Sequence, residues 1–193
     1  MTTLHSSPFD PERLPLGPWD SAALALYLDE SIVCIKRSQT MPTHAGQLAF
    51  FGGRRQPNDR NPAELALREF QEESGLDQSV VELLYPGPCV QTARDHWIAP
   101  WWGKVRLSTN EFLKSVKTNG EWDHLWILDL KELQQERNWD YFWRISPSGE
   151  KKSVLIYPIQ TDYGFSRPHQ DGLKPILWGA TARIVWNELH TKK

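Results

Sequence analysis

At 193 residues, with 39% hydrophobic and 24% charged residues, the chain has the make-up of one ordinary globular domain and not of a disordered or fibrous protein. A formal net charge of -2 argues against a dedicated nucleic-acid surface, which would be basic, so a phosphate-rich ligand must be met by a local cluster and metal ions. Cys34 and Cys89 lack metal-ligand spacing and read as reduced, buried thiols, and neither a signal peptide nor an apolar run near the roughly 20 residues of a membrane span is evident, so the expectation is cytoplasmic with no membrane partner.

Residues 1–20 are rich in proline and polar residues and read as an arm, with a single domain expected over 21–193. Ala22–Leu28 and Ile32–Lys36 flank Asp29-Glu30 as a β-hairpin, and Gln47–Phe51 is a short apolar run leading into Gly52-Gly53. A helix over Pro62–Ser74 is announced by proline in its first turn and by Gly75 just past its end. Ala63, Ala66, Leu67 and Phe70 recur at helical spacing and form its expected apolar stripe. Strands are expected near Val80–Leu84, Trp97–Leu107 and Leu125–Leu128, the last running into a short helix over Leu130–Glu136. Tyr141–Ile145 and Ser153–Tyr157 flank the turn sequence Ser146-Pro147-Ser148-Gly149, and Ala180–Leu189 reads as a further helix. Mixed strands with helices on both sides make this an α/β fold. The ten tryptophans are read mainly as packing residues, with one or two left to stack on a nucleobase or line a partner surface.

Glu69, Glu72 and Glu73 stand three and four residues apart on the helix, and the periodicity places them together on the side away from the apolar stripe. Three neighbouring anions repel one another unless a cation sits among them. Hard oxygen ligands in this arrangement suit magnesium or manganese, with substrate phosphates as further ligands. A solvated acidic face is the alternative for the three glutamates alone, and the surroundings decide against it. The block Arg68-Glu69-Phe70-Gln71-Glu72-Glu73-Ser74-Gly75-Leu76, with its upstream glycine pair, closely resembles the signature box of the Nudix family. The acid usual ahead of the helix would fall at Arg60, whereas the acid present is Asp59, as if the loop held one extra residue.

The resemblance implies an α/β/α sandwich around a mixed sheet, and hydrolysis of a pyrophosphate bond in a nucleoside diphosphate joined to another group. It implies that Glu69, Glu72 and Glu73, with the carbonyl of Gly53, hold Mg2+ or Mn2+, which lowers the pKa of a bound water. Arg68 orients the carboxylates. A box glutamate or Glu121, in the loop where family members often place such an acid, serves as base. Lys36-Arg37-Ser38, the run from His44 to Gly53, Trp97 to Gly103, and Trp178 to Ala182 resemble segments of coenzyme A pyrophosphatase-type members. Coenzyme A or a derivative is therefore the expected small-molecule substrate. A nucleotide sugar, a dinucleotide or a damaged nucleotide is the alternative with the same chemistry, and a non-catalytic nucleotide-binding module is the alternative outside it. Two positions depart from the subfamily, Pro42 in place of an arginine and Phe51 in place of a proline. Arg37 is read as a substrate-phosphate ligand or a structural ion-pair partner. Arg54 and Arg55 flank the expected phosphate site or face solvent, and His44 contacts substrate or is satisfied within its turn. Monomer and homodimer both stay open.

Overall fold

The computed structural model of the chain describes residues 17–145, 149, 151–159 and 176–191. Strands β1 (Ser21–Leu28), β2 (Ser31–Arg37), β3 (Leu48–Ala49) and β4 (Phe51–Arg54) precede helix α1 (Pro62–Ser74). Strands β5 (Val81–Pro86), β6 (Val90–Gln91) and β7 (Trp97–Val105) follow, then helix α2 (Thr109–Ser115), strand β8 (Trp122–Asp129) and helix α3 (Leu130–Leu133). Strands β9 (Asp140–Ile145), β10 (Lys151–Pro158) and β11 (Ile176–Trp178) lead to helix α4 (Gly179–His190). The chain forms two compact units, one from residues up to 29 together with 51–119, the other from 30–50 together with residues from 120 onward. The expected arm falls largely outside the described residues, as do Ser146 to Ser148 of the expected turn.

In the first unit β1 runs parallel to β7, from Ser21 opposite Ile98 to Tyr27 opposite Lys104. On its other side it is antiparallel to β4, pairing Ala22 with Gly53 and Ala23 with Gly52. With both edges paired, β1 is buried along nearly its whole length, which explains its continuous apolar run. Strands β5 and β6 add antiparallel to β7, making the sheet mixed. Helix α1 packs against β4 and β1, and Phe70 meets Phe51 edge to face with ring centroids 5.2 Å apart. Phe70 is fully buried, so truncating it to alanine should cost about 3–5 kcal/mol.

The ends of α1 follow its local signals. Asn61 Oδ1 accepts the Glu64 N–H at 2.9 Å, Pro62 opens the first turn, and Gly75 at φ 68° closes the helix with its N–H on Gln71 O. The Lys117 N–H then donates to Ser74 O at 2.8 Å, tying down the helix end. The buried stripe differs in one member from the expected one: Leu65 is fully buried while Leu67 is only half-buried. Helix α2 was not expected at all. It starts with a reciprocal capping box between Ser108 and Glu111, which also ends β7 at Val105 instead of Leu107.

In the second unit β2 lies between β3 and β8, antiparallel to both. Strand β8 begins at Trp122, ahead of the expected Leu125, because Trp122 pairs with Arg37 across a register irregularity between Lys36 and Arg37. Helix α3 stops at Leu133, short of the expected Glu136. Strands β11, β10 and β9 form a separate antiparallel sheet against which α4 packs through β10 and β11. Trp139 anchors an aromatic cluster, 5.1 Å from Tyr157 and 5.3 Å from Trp186, while its indole N–H donates to Leu133 O at 2.8 Å. Trp101, Trp102, Trp122 and Trp126 are also buried, so packing accounts for these, whereas Trp143 is 61% exposed. No helix among the described residues is long and apolar enough to cross a membrane.

Candidate active site

The two glycines of β4 face different neighbours. Gly52 sits at φ 150°, and a Cβ built on it would come 2.3 Å from Ala22 O, so this residue lies directly against the β1 backbone. A Cβ on Gly53 would come 2.3 Å from the Glu69 Cδ and Oε1, so here the backbone lies directly against a carboxylate of α1. The glycine pair thus brings main chain to both the sheet and the helix.

The same strand reaches a second carboxylate. The Gly52 N–H donates to Glu73 Oε2 at 2.9 Å, a charge-assisted bond to a residue only 1% exposed. This corrects the sequence expectation that the three glutamates share the outer side of the helix. Glu73 lies on the buried face with Phe70, because a backbone amide meets it there. Glu69 and Glu72 lie farther round, with side chains 15% and 55% exposed.

Arg68 links the rest. Its Nε and Nη2 donate to Asp59 Oδ1 and Oδ2, both at 3.1 Å. The same guanidinium reaches Glu69 Oε1 at 2.9 Å and Glu72 Oε2 at 3.1 Å. Asp59 is buried and also accepts the Gln56 N–H at 2.7 Å. Burial works to raise its pKa, but the bonds from Arg68 and Gln56 outweigh it and hold the carboxyl below its usual value. Arg68 is shifted upward, chiefly by its bond to Asp59. Asp59 is the residue whose role sequence reasoning passed over: the displaced acid was visible, but its grip on Arg68 was not. Arg60, at the usual position of that acid, is exposed and pairs with Glu64 at 2.8 Å instead.

Among the described residues no three acidic, histidine or cysteine side chains converge on one point. The carboxylates are drawn onto N–H partners, Glu73 onto Gly52 and Glu69 and Glu72 onto Arg68. The donor chemistry nevertheless fits a hard divalent cation. Three carboxylates, those of Asp59, Glu69 and Glu72, surround one guanidinium, and the missing Cβ of Gly53 leaves its main chain open to the Glu69 side.

The other expected site residues are placed as follows. Arg54 and Arg55 are exposed at the end of β4 and just beyond it; the Arg55 guanidinium lies 4.3 Å over the Trp19 ring, and the Arg55 backbone N–H donates to Asp20 O at 2.9 Å. Arg37, His44 and Glu121 belong to the second unit. The Arg37 backbone is fixed by Gln47 O and the Gly46 N–H, each at 3.0 Å, while its buried Nε has no hydrogen-bond partner among the described residues. The neighbouring Ser38 N–H donates to Glu121 O at 2.8 Å, so Arg37 and Glu121 lie on adjoining segments. His44 is exposed at φ 57° and shares a 3.1 Å hydrogen bond with Gln47 Oε1, which satisfies it within its own turn.

The NUDIX domain family model matches residues 18–149, and the chain belongs to this family and has its fold. It is 36% identical over 167 residues to Nudix hydrolase 15, mitochondrial, of Arabidopsis thaliana, covering 81% of this chain and 51% of the relative. To Nudix hydrolase 22, chloroplastic, of the same plant it is 28% identical over 165 residues, covering 81% and 48%. The chain thus spans about half the length of these two plant relatives. A Nudix hydrolase NudL of Photorhabdus laumondii is 25% identical over 156 residues, covering 80% of this chain and 73% of the relative. Among solved structures, a C. elegans Ap4A hydrolase binary complex aligns with a TM-score of 0.48 and 14% identity, over 57% of this chain and 80% of that one. A MutT/nudix family protein from Enterococcus faecalis aligns with a TM-score of 0.48 and 16% identity, over 91% and 63%.

Proposed function

We propose that the chain is a metal-dependent hydrolase of a pyrophosphate bond in a nucleoside diphosphate linked to another group, with coenzyme A or a derivative as substrate. The observation that carries the chemistry is the direct approach of the Gly53 main chain to the Glu69 carboxylate, beside the Arg68 network. A packing helix needs neither that approach nor so many carboxylates around one guanidinium.

In this reading Glu69, Glu72, Glu73 and the Gly53 carbonyl hold Mg2+ or Mn2+. Such an ion, when bound, supplies charge neutralisation of the two phosphates and an acidified water. Arg68, itself held by Asp59, sets the positions of Glu69 and Glu72. Arg54 and Arg55, exposed at and just beyond the end of the glycine strand, are assigned to phosphate oxygens. Arg37 and Glu121 enter as phosphate ligand and base from the family resemblance; the unpartnered, buried Arg37 Nε supports the first assignment.

A nucleotide sugar or dinucleotide is the second reading, favoured by Pro42 in place of an arginine. A lost charged hydrogen bond of about 1.5–3 kcal/mol equals roughly 10- to 150-fold in affinity. The test measures turnover of coenzyme A, its 3′-dephospho form, ADP-ribose and a diadenosine polyphosphate, at matched magnesium and again at matched manganese. Fastest cleavage of a coenzyme form between its two phosphates is the expected result. Faster turnover of ADP-ribose overturns the substrate while leaving the reaction, and no turnover of any compound with either metal overturns both.

A further inference from the structure

Strand β9 reads Asp140-Tyr141-Phe142-Trp143-Arg144-Ile145, and all six residues are exposed. Tyr141, Phe142, Trp143 and Ile145 are 54%, 39%, 61% and 69% exposed, an unusual concentration of apolar surface on one short strand. It is also an edge. Among the described residues β9 pairs with β10 alone, from Ile145 opposite Lys151 to Asp140 opposite Ile156. An open edge rich in aromatic side chains is a template for another strand.

The order of the residues indicates which strand. Asp140 and Arg144 lie symmetrically about Phe142, so the strand is charge-complementary to itself when reversed. Neither has an opposite-charge partner among the described residues. Asp140 Oδ1 accepts the neighbouring Tyr141 N–H at 2.7 Å, and Arg144 stands across from Lys152, a like charge. We propose that two copies of this chain pair antiparallel through β9, about a two-fold axis at Phe142. That register sets Asp140 opposite Arg144 twice, Tyr141 opposite Trp143 twice, and Phe142 opposite its own copy. The contact is isologous and closes after two copies, so it does not propagate into fibres.

Aromatic side chains bury roughly 150–250 Å2 each when fully covered. Pairing of these partly exposed rings therefore hides a few hundred Å2 per chain, at the weak end of specific interfaces. The dimer is reversible and concentration-dependent, and its dissociation constant is the quantity a concentration series reads.

Sedimentation velocity across a concentration series, roughly 1 to 300 µM to bracket that constant, tests this on the full chain. The wild type passes from monomer to dimer. Asp140→Arg and Arg144→Asp each place like charges opposite one another at two points and raise the dissociation constant by about tenfold or more. The double variant exchanges the two charges and restores the wild-type value. Circular dichroism confirms that each variant is folded, as expected for exposed positions. Phe142→Cys adds a second measurement. Directly opposed residues of antiparallel strands have Cα atoms about 4.5–5.5 Å apart, within disulfide range, so mild oxidation links the two copies at position 142. A chain that stays monomeric throughout, or a dimer indifferent to both single charge reversals, overturns the proposal.

Discussion

Arg68 holds Asp59 by two N–H bonds of 3.1 Å, and with the same guanidinium it touches Glu69 and Glu72. Asp59 thus bears on two further carboxylates through Arg68. Replacing Asp59 by Asn keeps an oxygen for the Gln56 N–H but removes the charge that anchors Arg68. The expected outcome is a fall in kcat of about 10- to 100-fold, the range for groups that orient metal ligands, with the circular dichroism spectrum unchanged. Unaltered kcat in a folded variant would remove Asp59 from the positioning role.

The same carboxylate makes acid stability informative. Its pKa in the folded protein lies below the ordinary 3.8, so its contribution is complete above that value and fades as the pH drops through the depressed one. Urea midpoints of wild type and Asp59→Asn should differ most at neutral pH and converge in strong acid. A gap that widens on acidification contradicts the depressed pKa.

Glu73→Gln probes the buried carboxylate without emptying its space. The amide oxygen still accepts the Gly52 N–H, so thermal stability should change little. Turnover should fall at least about 100-fold, more than the loss of an outer orienting group. Near-normal turnover in the purified variant excludes Glu73 from the metal set.

The adjacent glycines should respond differently to alanine. Gly52→Ala places a Cβ against Ala22 O at a strained φ, a penalty of about 1–3 kcal/mol for the backbone alone, and should lower the melting temperature. Gly53→Ala meets instead the end of the Glu69 side chain, which can rotate away. Its stability should be nearly intact and its activity largely lost. Equal destabilisation by both substitutions would show that the Glu69 carboxylate is as fixed as the backbone.

Helix α1 was legible to the residue because Pro62 and Gly75 mark its limits locally. Helix α2 escaped despite its Ser108 and Glu111 signal, since only Phe112 of its residues is buried and no apolar period forms. The start of β8 escaped for a different reason: its pairing with Arg37 fixes it, and the partner lies far away in sequence. Within the candidate site, residue types and spacing were legible, but the distribution of charge was not. Periodicity alone assigns a glutamate to the wet side of a helix. Glu73 is buried because its hydrogen-bond donor, Gly52, comes from 21 residues away. Asp59 was visible as an acid one place early, but the bond it receives from Arg68, nine residues on, was not.

The 2.9 Å bond from Gly52 to Glu73 also gives the buried carboxylate a spectroscopic voice. An amide proton held by a charged oxygen resonates well downfield, and it moves when that oxygen turns to another partner. Gly52 has no side chain and lies within a paired strand, so little else disturbs its signal. In a nitrogen-15 correlation spectrum the Gly52 cross-peak should follow, titration point by titration point, any diamagnetic divalent cation that takes Glu73, including ions that support no turnover, and should broaden away with manganese.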